Sequence, residues 1–171
     1  GGRVAEALSE RQELTGVDLQ PSVHTHHVAD IAAITDWAPL LEGMDAVVHF
    51  AALHAPHRET HSQDAFRRTN VDATGRLLDA AKACGVSRFL LASTTSVYGR
   101  SMRTQGHAAW VTEELIPEPE DIYDETKLAA EALCSRAFSE GFVTAALRFS
   151  RSFPEPAPLV ASARIPARSR R

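Results

Sequence analysis

Two hydrophobic periods run through this chain, and they take turns. Val4, Ala5, Ala7 and Leu8 share one helical face over residues 2–11. Residues 13–19 (ELTGVDL) then predict a short buried strand ending in an acid, and 23–28 a second strand, broken at Ala29-Asp30. A short helix is expected over 37–41, closed by Gly43. Residues 45–50 (DAVVHF) are a strong buried-strand pattern. Over 62–84, Phe66, Val71, Leu77, Leu78 and Ala81 recur at helical spacing, and Gly85 supplies the stop. Residues 88–92 (RFLLA) predict the next strand, 100–121 a polar, proline-bearing loop, 122–138 a helix rich in Ala, Leu and Glu, and 142–149 (FVTAALRF) the last strand.

Strands apolar on both faces and separated by helices imply a parallel sheet covered on both sides. Right-handed crossovers make this an α/β, doubly wound, Rossmann-type fold, whose ligands sit beyond the carboxyl ends of the strands. Composition agrees: 171 residues, 44% hydrophobic and 23% charged, suffice for one globular domain. A net charge of −4 gives no reason to expect nucleic acid or an anionic membrane as partner. No apolar run approaches the roughly 20 residues of a membrane span. Cys84 and Cys134 have no metal or redox spacing and read as reduced, so a cytoplasmic setting is expected. Only Lys82 and Lys127 among the eighteen basic residues are lysine, which makes a lysine at a motif position informative.

The chemistry-bearing residues follow the strands. Asp18 ends its strand where an acid would accept hydrogen bonds from adenosine ribose hydroxyls, its charge favouring NAD over NADP; an ordinary acid at a strand end is an equal reading. Asp30-Ile31 stands where a base could be touched, or where a turn aspartate is merely common. Gly1, more than Gly2, fits the last glycine of a phosphate-binding turn. His49-Phe50-Ala51-Ala52 ends the DAVVHF strand with small residues that let a cofactor approach, His49 itself fitting a core role better than proton transfer. The hydroxyls of Ser93 to Ser96 either meet a substrate oxygen or cap the strand. Tyr123 and Lys127, four apart, share a helical face, where an ammonium would lower the phenol's pKa for proton exchange and hold the nicotinamide ribose; a surface pair is the plain alternative. The clusters His24, His26, His27 and His54, His57, His61 lack a closed set of zinc ligands, so no metal is expected.

Together, His49-Phe50-Ala51-Ala52, the run Ser93 to Gly99 ending Val-Tyr-Gly, and Tyr123-Asp124-Glu125-Thr126-Lys127 resemble the extended short-chain dehydrogenase/reductases, specifically the NAD-dependent epimerase/dehydratase branch. The resemblance runs from Gly1 to about Phe149. It implies Thr94 as the hydroxyl that bonds the reacting oxygen, Tyr123 as base and Lys127 as its partner. It implies Asp18 on the ribose, Asp30-Ile31 on the adenine, Ala51, Ala52 and Ser93 lining the cofactor, and Asn70 supporting the site. Thr112, Glu113 and Glu114 resemble the loop before the catalytic helix, with no chemistry assigned.

That family begins with a strand and a G-x-x-G-x-x-G turn, which would lie between the Asp18 strand and DAVVHF. Residues 1–149 are therefore expected to form the NAD-binding domain without its first strand, and 150–171 an irregular tail in place of a substrate domain, as in a fragment of a protein nearer twice this length. The resemblance implies hydride transfer on a nucleotide sugar or related polyol, and a homodimer through helices 62–84 and 122–138. A cofactor-sensing regulatory module and an inactive fragment are the alternatives.

Overall fold

The computed structural model describes residues 1–103 and 110–150. The expected irregular tail, apart from Ser150, and part of the loop expected over 100–121 lie outside the described residues. Helix α1 (Gly2–Ser9) leads to strands β1 (Val17–Asp18) and β2 (His27–Val28). A single helical turn α2 (Ala38–Leu41) precedes β3 (Ala46–His49). After a 3₁₀ turn at Ala55–Glu59 come α3 (Gln63–Arg67), a π turn at Arg68–Asp72 and α4 (Ala73–Ala83). Strand β4 (Arg88–Thr94), helix α5 (Ile122–Ala137) and strand β5 (Val143–Phe149) complete the order. All strand pairings are parallel, in two sheets, β1-β2 and β3-β4-β5.

Three expectations change. The strands over 13–19 and 23–28 shrink to two residues each, because among the described residues β1 finds only β2 as a partner and its other edge is unpaired. The helix over 62–84 runs through from Gln63 to Ala83 but is not α-helical throughout: the π turn at Arg68–Asp72 widens it around Asn70, whose carbonyl receives the Thr74 hydroxyl at 2.9 Å. The larger sheet is also not covered equally on its two sides. Phe89, Leu91 and Ser93 are buried, whereas Val48, Val143, Leu147 and Phe149, in register on the opposite face, are exposed.

The core lies on the covered face, where α4 and α5 bring Leu77, Leu78, Ala81, Ala130 and Cys134 against Phe89 and Leu91. Gly85 ends α4 at φ 79°, a conformation that costs a side-chain-bearing residue but not glycine, while Val86 N–H returns to the Ala81 carbonyl at 3.0 Å. Between β1 and β3 the sheets leave a cleft of about 290 Å³ lined by Val17, Ile31, Leu41, Val47 and Leu77 from both sides. Trp37 also lines it, its buried Nε1 without a hydrogen-bond partner.

His49 closes the core beneath β3. Its Nε2 lies 2.9 Å from the Thr74 hydroxyl, which already donates to Asn70, so the imidazole must be the donor and is neutral as the Nε2–H tautomer. Burial, with a smaller push from the Lys127 charge, lowers His49 to about 4. The folded value lies below the unfolded one, so this contribution is complete above pH about 6.5 and is lost as pH falls towards 4. We predict that stability measured by denaturant falls by roughly 3 kcal/mol more over that window than in His49→Gln. An equal slope in the two proteins would show that His49 is not the buried neutral group.

Candidate active site

The carboxyl ends of β3 and β4 meet the first turn of α5. That turn is fixed by Asp121, whose Oδ1 accepts from Tyr123 N–H at 2.9 Å and Asp124 N–H at 3.1 Å. Its other oxygen pairs with Arg58, tying the helix to the 3₁₀ turn that follows β3. Tyr123 is thereby held half-buried at the helix start, and Lys127 follows one turn later, 4% exposed. On β4, Thr94 folds onto its own turn, accepting Ser96 N–H at 3.1 Å with the two hydroxyls 2.9 Å apart. Gly99 closes this segment against Glu118: a Cβ there would fall 2.0 Å from the Glu118 carbonyl oxygen, so only glycine fits.

The electrostatics are those of a dry site. Burial pushes the Lys127 ammonium down to about 8, opposed by the Glu131 carboxylate and less by the Cys134 thiol. Burial also raises the Tyr123 phenol; the Thr94 hydroxyl works against this, and the Asp124 and Asp121 carboxylates add to it. The expectation that Lys127 would lower the phenol is thus corrected: desolvation and two neighbouring acids raise it, and the group that opposes them is the Thr94 hydroxyl. Asp124 is itself raised by burial, against the favourable contact of the Ser96 hydroxyl.

The Thr94 hydroxyl meets the Tyr123 phenol here, Lys127 follows one turn later on α5, and Ala51 and Ala52 lie just past the end of β3. Gly1 packs on Phe50, where an added methyl would sit in ordinary contact, 3.8 Å from the Phe50 Cβ. Burial lowers His54, helped by the Lys127 charge and less by His57. Asp18 and Asp30 stand apart, on the β1-β2 side of the cleft: Asp18 is exposed at its strand end with Oδ1 on Gln20 N–H at 2.9 Å, and Asp30 accepts Ala32 N–H at 2.9 Å. The Ile31 side chain is buried in the core. Ser93 turns its hydroxyl to Glu131, and its side chain is buried rather than open to a ligand. Asn70 spends its amide on scaffolding: Oδ1 accepts Leu53 N–H at 2.7 Å, and Nδ2 donates to the Leu53 carbonyl and the Thr126 hydroxyl, each at 3.0 Å.

Sequence reasoning named Ser96 only within the hydroxyl run, Asp124 only within the Tyr123 motif and His54 only as a metal candidate, and it did not find Glu131. Asp124 and Glu131 sit on the same helix as the singled-out pair, and an acid four residues after Lys127 was a visible signal. His54 faces Tyr123 with ring centroids 5.8 Å apart, a proximity no spacing along the chain reports. Among the described residues, no group of three or more His, Cys, Asp and Glu is arranged to hold a metal.

The sequence matches the profile of the NAD dependent epimerase/dehydratase family over residues 1–165. It is 34% identical to dTDP-glucose 4,6-dehydratase of Streptomyces griseus over 122 residues, covering 68% of this chain and 36% of that enzyme. A short-chain dehydrogenase/reductase superfamily protein of Agrobacterium tumefaciens, solved with bound NAD, is similar at TM-score 0.73 and 32% identity over 86% of this chain and 45% of its own. RMD of Pseudomonas aeruginosa, complexed with NADPH, is similar at TM-score 0.66 and 30% identity over 87% of this chain and 50% of its own. The chain thus spans between about a third and a half of the length of these relatives. No helix described is long and apolar enough to cross a membrane.

Asn70→Ala would strand the Leu53 amide and carbonyl and loosen the segment that carries Ala51 and Ala52. We predict a loss of about 2 kcal/mol in denaturant unfolding, with faster hydrogen exchange at Leu53. Unchanged exchange there would remove Asn70 from this role.

Proposed function

The chain belongs to the NAD dependent epimerase/dehydratase family, and on that premise we propose that the full-length protein is an NAD-dependent oxidoreductase acting on a nucleotide sugar or related polyol. The observation that carries this reading is the contact of the Thr94 hydroxyl with the Tyr123 phenol, one helical turn before the buried Lys127. The residues present fit the cofactor: a glycine against Phe50 and two alanines leave room for close approach, and an exposed carboxylate at Asp18 can accept from ribose hydroxyls. Gly1, Asp18, Asp30, main-chain atoms around Ile31, Ala51, Ala52 and Lys127 would hold it. The bound nicotinamide supplies the hydride acceptor.

Thr94 bonds the reacting oxygen, and Tyr123 exchanges the hydroxyl proton. Lys127 places a positive charge behind the phenol. Because burial and two acids raise the phenol, Tyr123 keeps its proton at neutral pH. Turnover that takes a proton from the substrate therefore climbs as pH rises. NAD is preferred over NADP because the Asp18 charge repels a 2′-phosphate, although RMD shows that a relative takes NADPH. In the full-length protein a further parallel strand joins the two sheets through the cleft between β1 and β3. The helices over 62–84 and 122–138 meet those of a second copy in a homodimer.

Tyr123→Phe in the full-length protein is expected to lower kcat by roughly 10²–10⁴-fold while NAD affinity changes little. Lys127→Ala loses both turnover and cofactor affinity. Steady-state kinetics with nucleotide sugars and calorimetry with NAD test both. Wild-type turnover in Tyr123→Phe overturns the reading.

A further inference from the structure

We propose that Glu131 is a positioning residue for this site, a single buried carboxylate through which Arg148 on β5 and Ser93 on β4 set the state of Lys127. This rests on the reading that Lys127 serves Tyr123. Glu131 is 7% exposed and lies four residues after Lys127, on the same face of α5. Both its oxygens are occupied. Oε1 accepts from the Ser93 hydroxyl and from Arg148 Nε at 3.0 Å, and Oε2 accepts from Arg148 Nη2 at 2.7 Å and Nε at 3.2 Å. The Arg148 guanidinium is held in turn over the Tyr98 ring, 4.7 Å from its centroid. Tyr98 anchors to the Thr112 carbonyl at 3.0 Å.

This arrangement is more than a buried ion pair. A carboxylate buried without Arg148 would draw the Lys127 ammonium back along the helix and fix its charge. An uncharged group in its place would leave an ammonium in a dry site with only the weaker effect of Cys134 to oppose its desolvation. With Arg148 taking both oxygens, Glu131 presents to Lys127 only part of its charge. The same carboxylate holds Ser93, the residue before Thr94, so it sets the hydroxyl and the ammonium from one point. Burial and Glu131 already act on Lys127 in opposite senses.

Lysine ε-carbon NMR titration tests this without turnover. The sequence above has two lysines; Lys82 is exposed, reaches the Ala137 carbonyl at 3.3 Å and serves as control. The full-length protein is labelled at lysine, and the Lys127 signal is identified by its loss in Lys127→Arg. Glu131→Gln should move the Lys127 midpoint down by about one pH unit, and Arg148→Gln should move it up, with Lys82 unmoved. Shifts of the same sign, or none, overturn the proposal. If Glu131→Gln does not fold, Arg148→Gln decides alone: a rise supports the proposal, and a fall or no change sinks it. A static Lys127 refutes this role while leaving that of Tyr123 intact. Wild-type turnover in Tyr123→Phe does the reverse.

Discussion

Helix α5 buries a stripe that is mostly polar, and the site depends on each of those groups finding its partner. Asp124, Thr126, Lys127 and Glu131 are all buried, interrupted only by Ala130 and followed by Cys134. A polar stripe of that kind costs free energy unless its groups are bonded. Thr126 accepts from Asn70 and returns its hydroxyl to the Ile122 carbonyl at 2.7 Å, and Glu131 is taken by Ser93 and Arg148. An apolar helix could seat in several rotations. In this one the bonds of Thr126 and Glu131 select the rotation, and that rotation brings Tyr123 to Thr94.

The neighbouring elements serve the same constraint. The π turn places Asn70 where one side chain reaches both the segment after β3 and the middle of α5. Arg58 reaches from that segment to the Asp121 cap. Three chain segments distant in sequence are thus fastened to one helix end, and the fastening is electrostatic and directional rather than apolar. The apolar core beneath, from Phe89 to Cys134, supplies the cohesion but not the alignment.

Much of this was legible in the chain. The runs DAVVHF, RFLLA and FVTAALRF declare strands by their apolar faces, and each becomes a strand within a residue or two at the ends, although one face of the sheet they form is exposed. The four-residue spacing of Tyr123 and Lys127 declared a shared face. What was not legible depends on partners distant in sequence. The strands around Asp18 and Val28 fall short of their apolar runs because length is set by pairing, and among the described residues β1 pairs on one edge only. The π turn has no periodic signature, since one extra residue in a helix is absorbed by the bonds of Asn70. The raised phenol at Tyr123 could not be read from the lysine beside it, because desolvation depends on what closes over the ring. Glu131 was visible as an acid at helical spacing, but Arg148 is 17 positions further on and meets it only through the packing of β5.

The cleft between β1 and β3 lies between the strand that ends in Asp18 and the segment of Ala51, and the proposed cofactor would bridge it. The central claim is that both sides of the cleft serve one bound cofactor and one reaction. The most direct measurement is the absorbance of reduced nicotinamide when full-length protein holding NAD is mixed with a panel of nucleotide sugars. The account predicts that reduced cofactor forms with at least one of them, and not without sugar. Tight NAD binding with no reduced nicotinamide for any sugar, even transiently on rapid mixing, would contradict it.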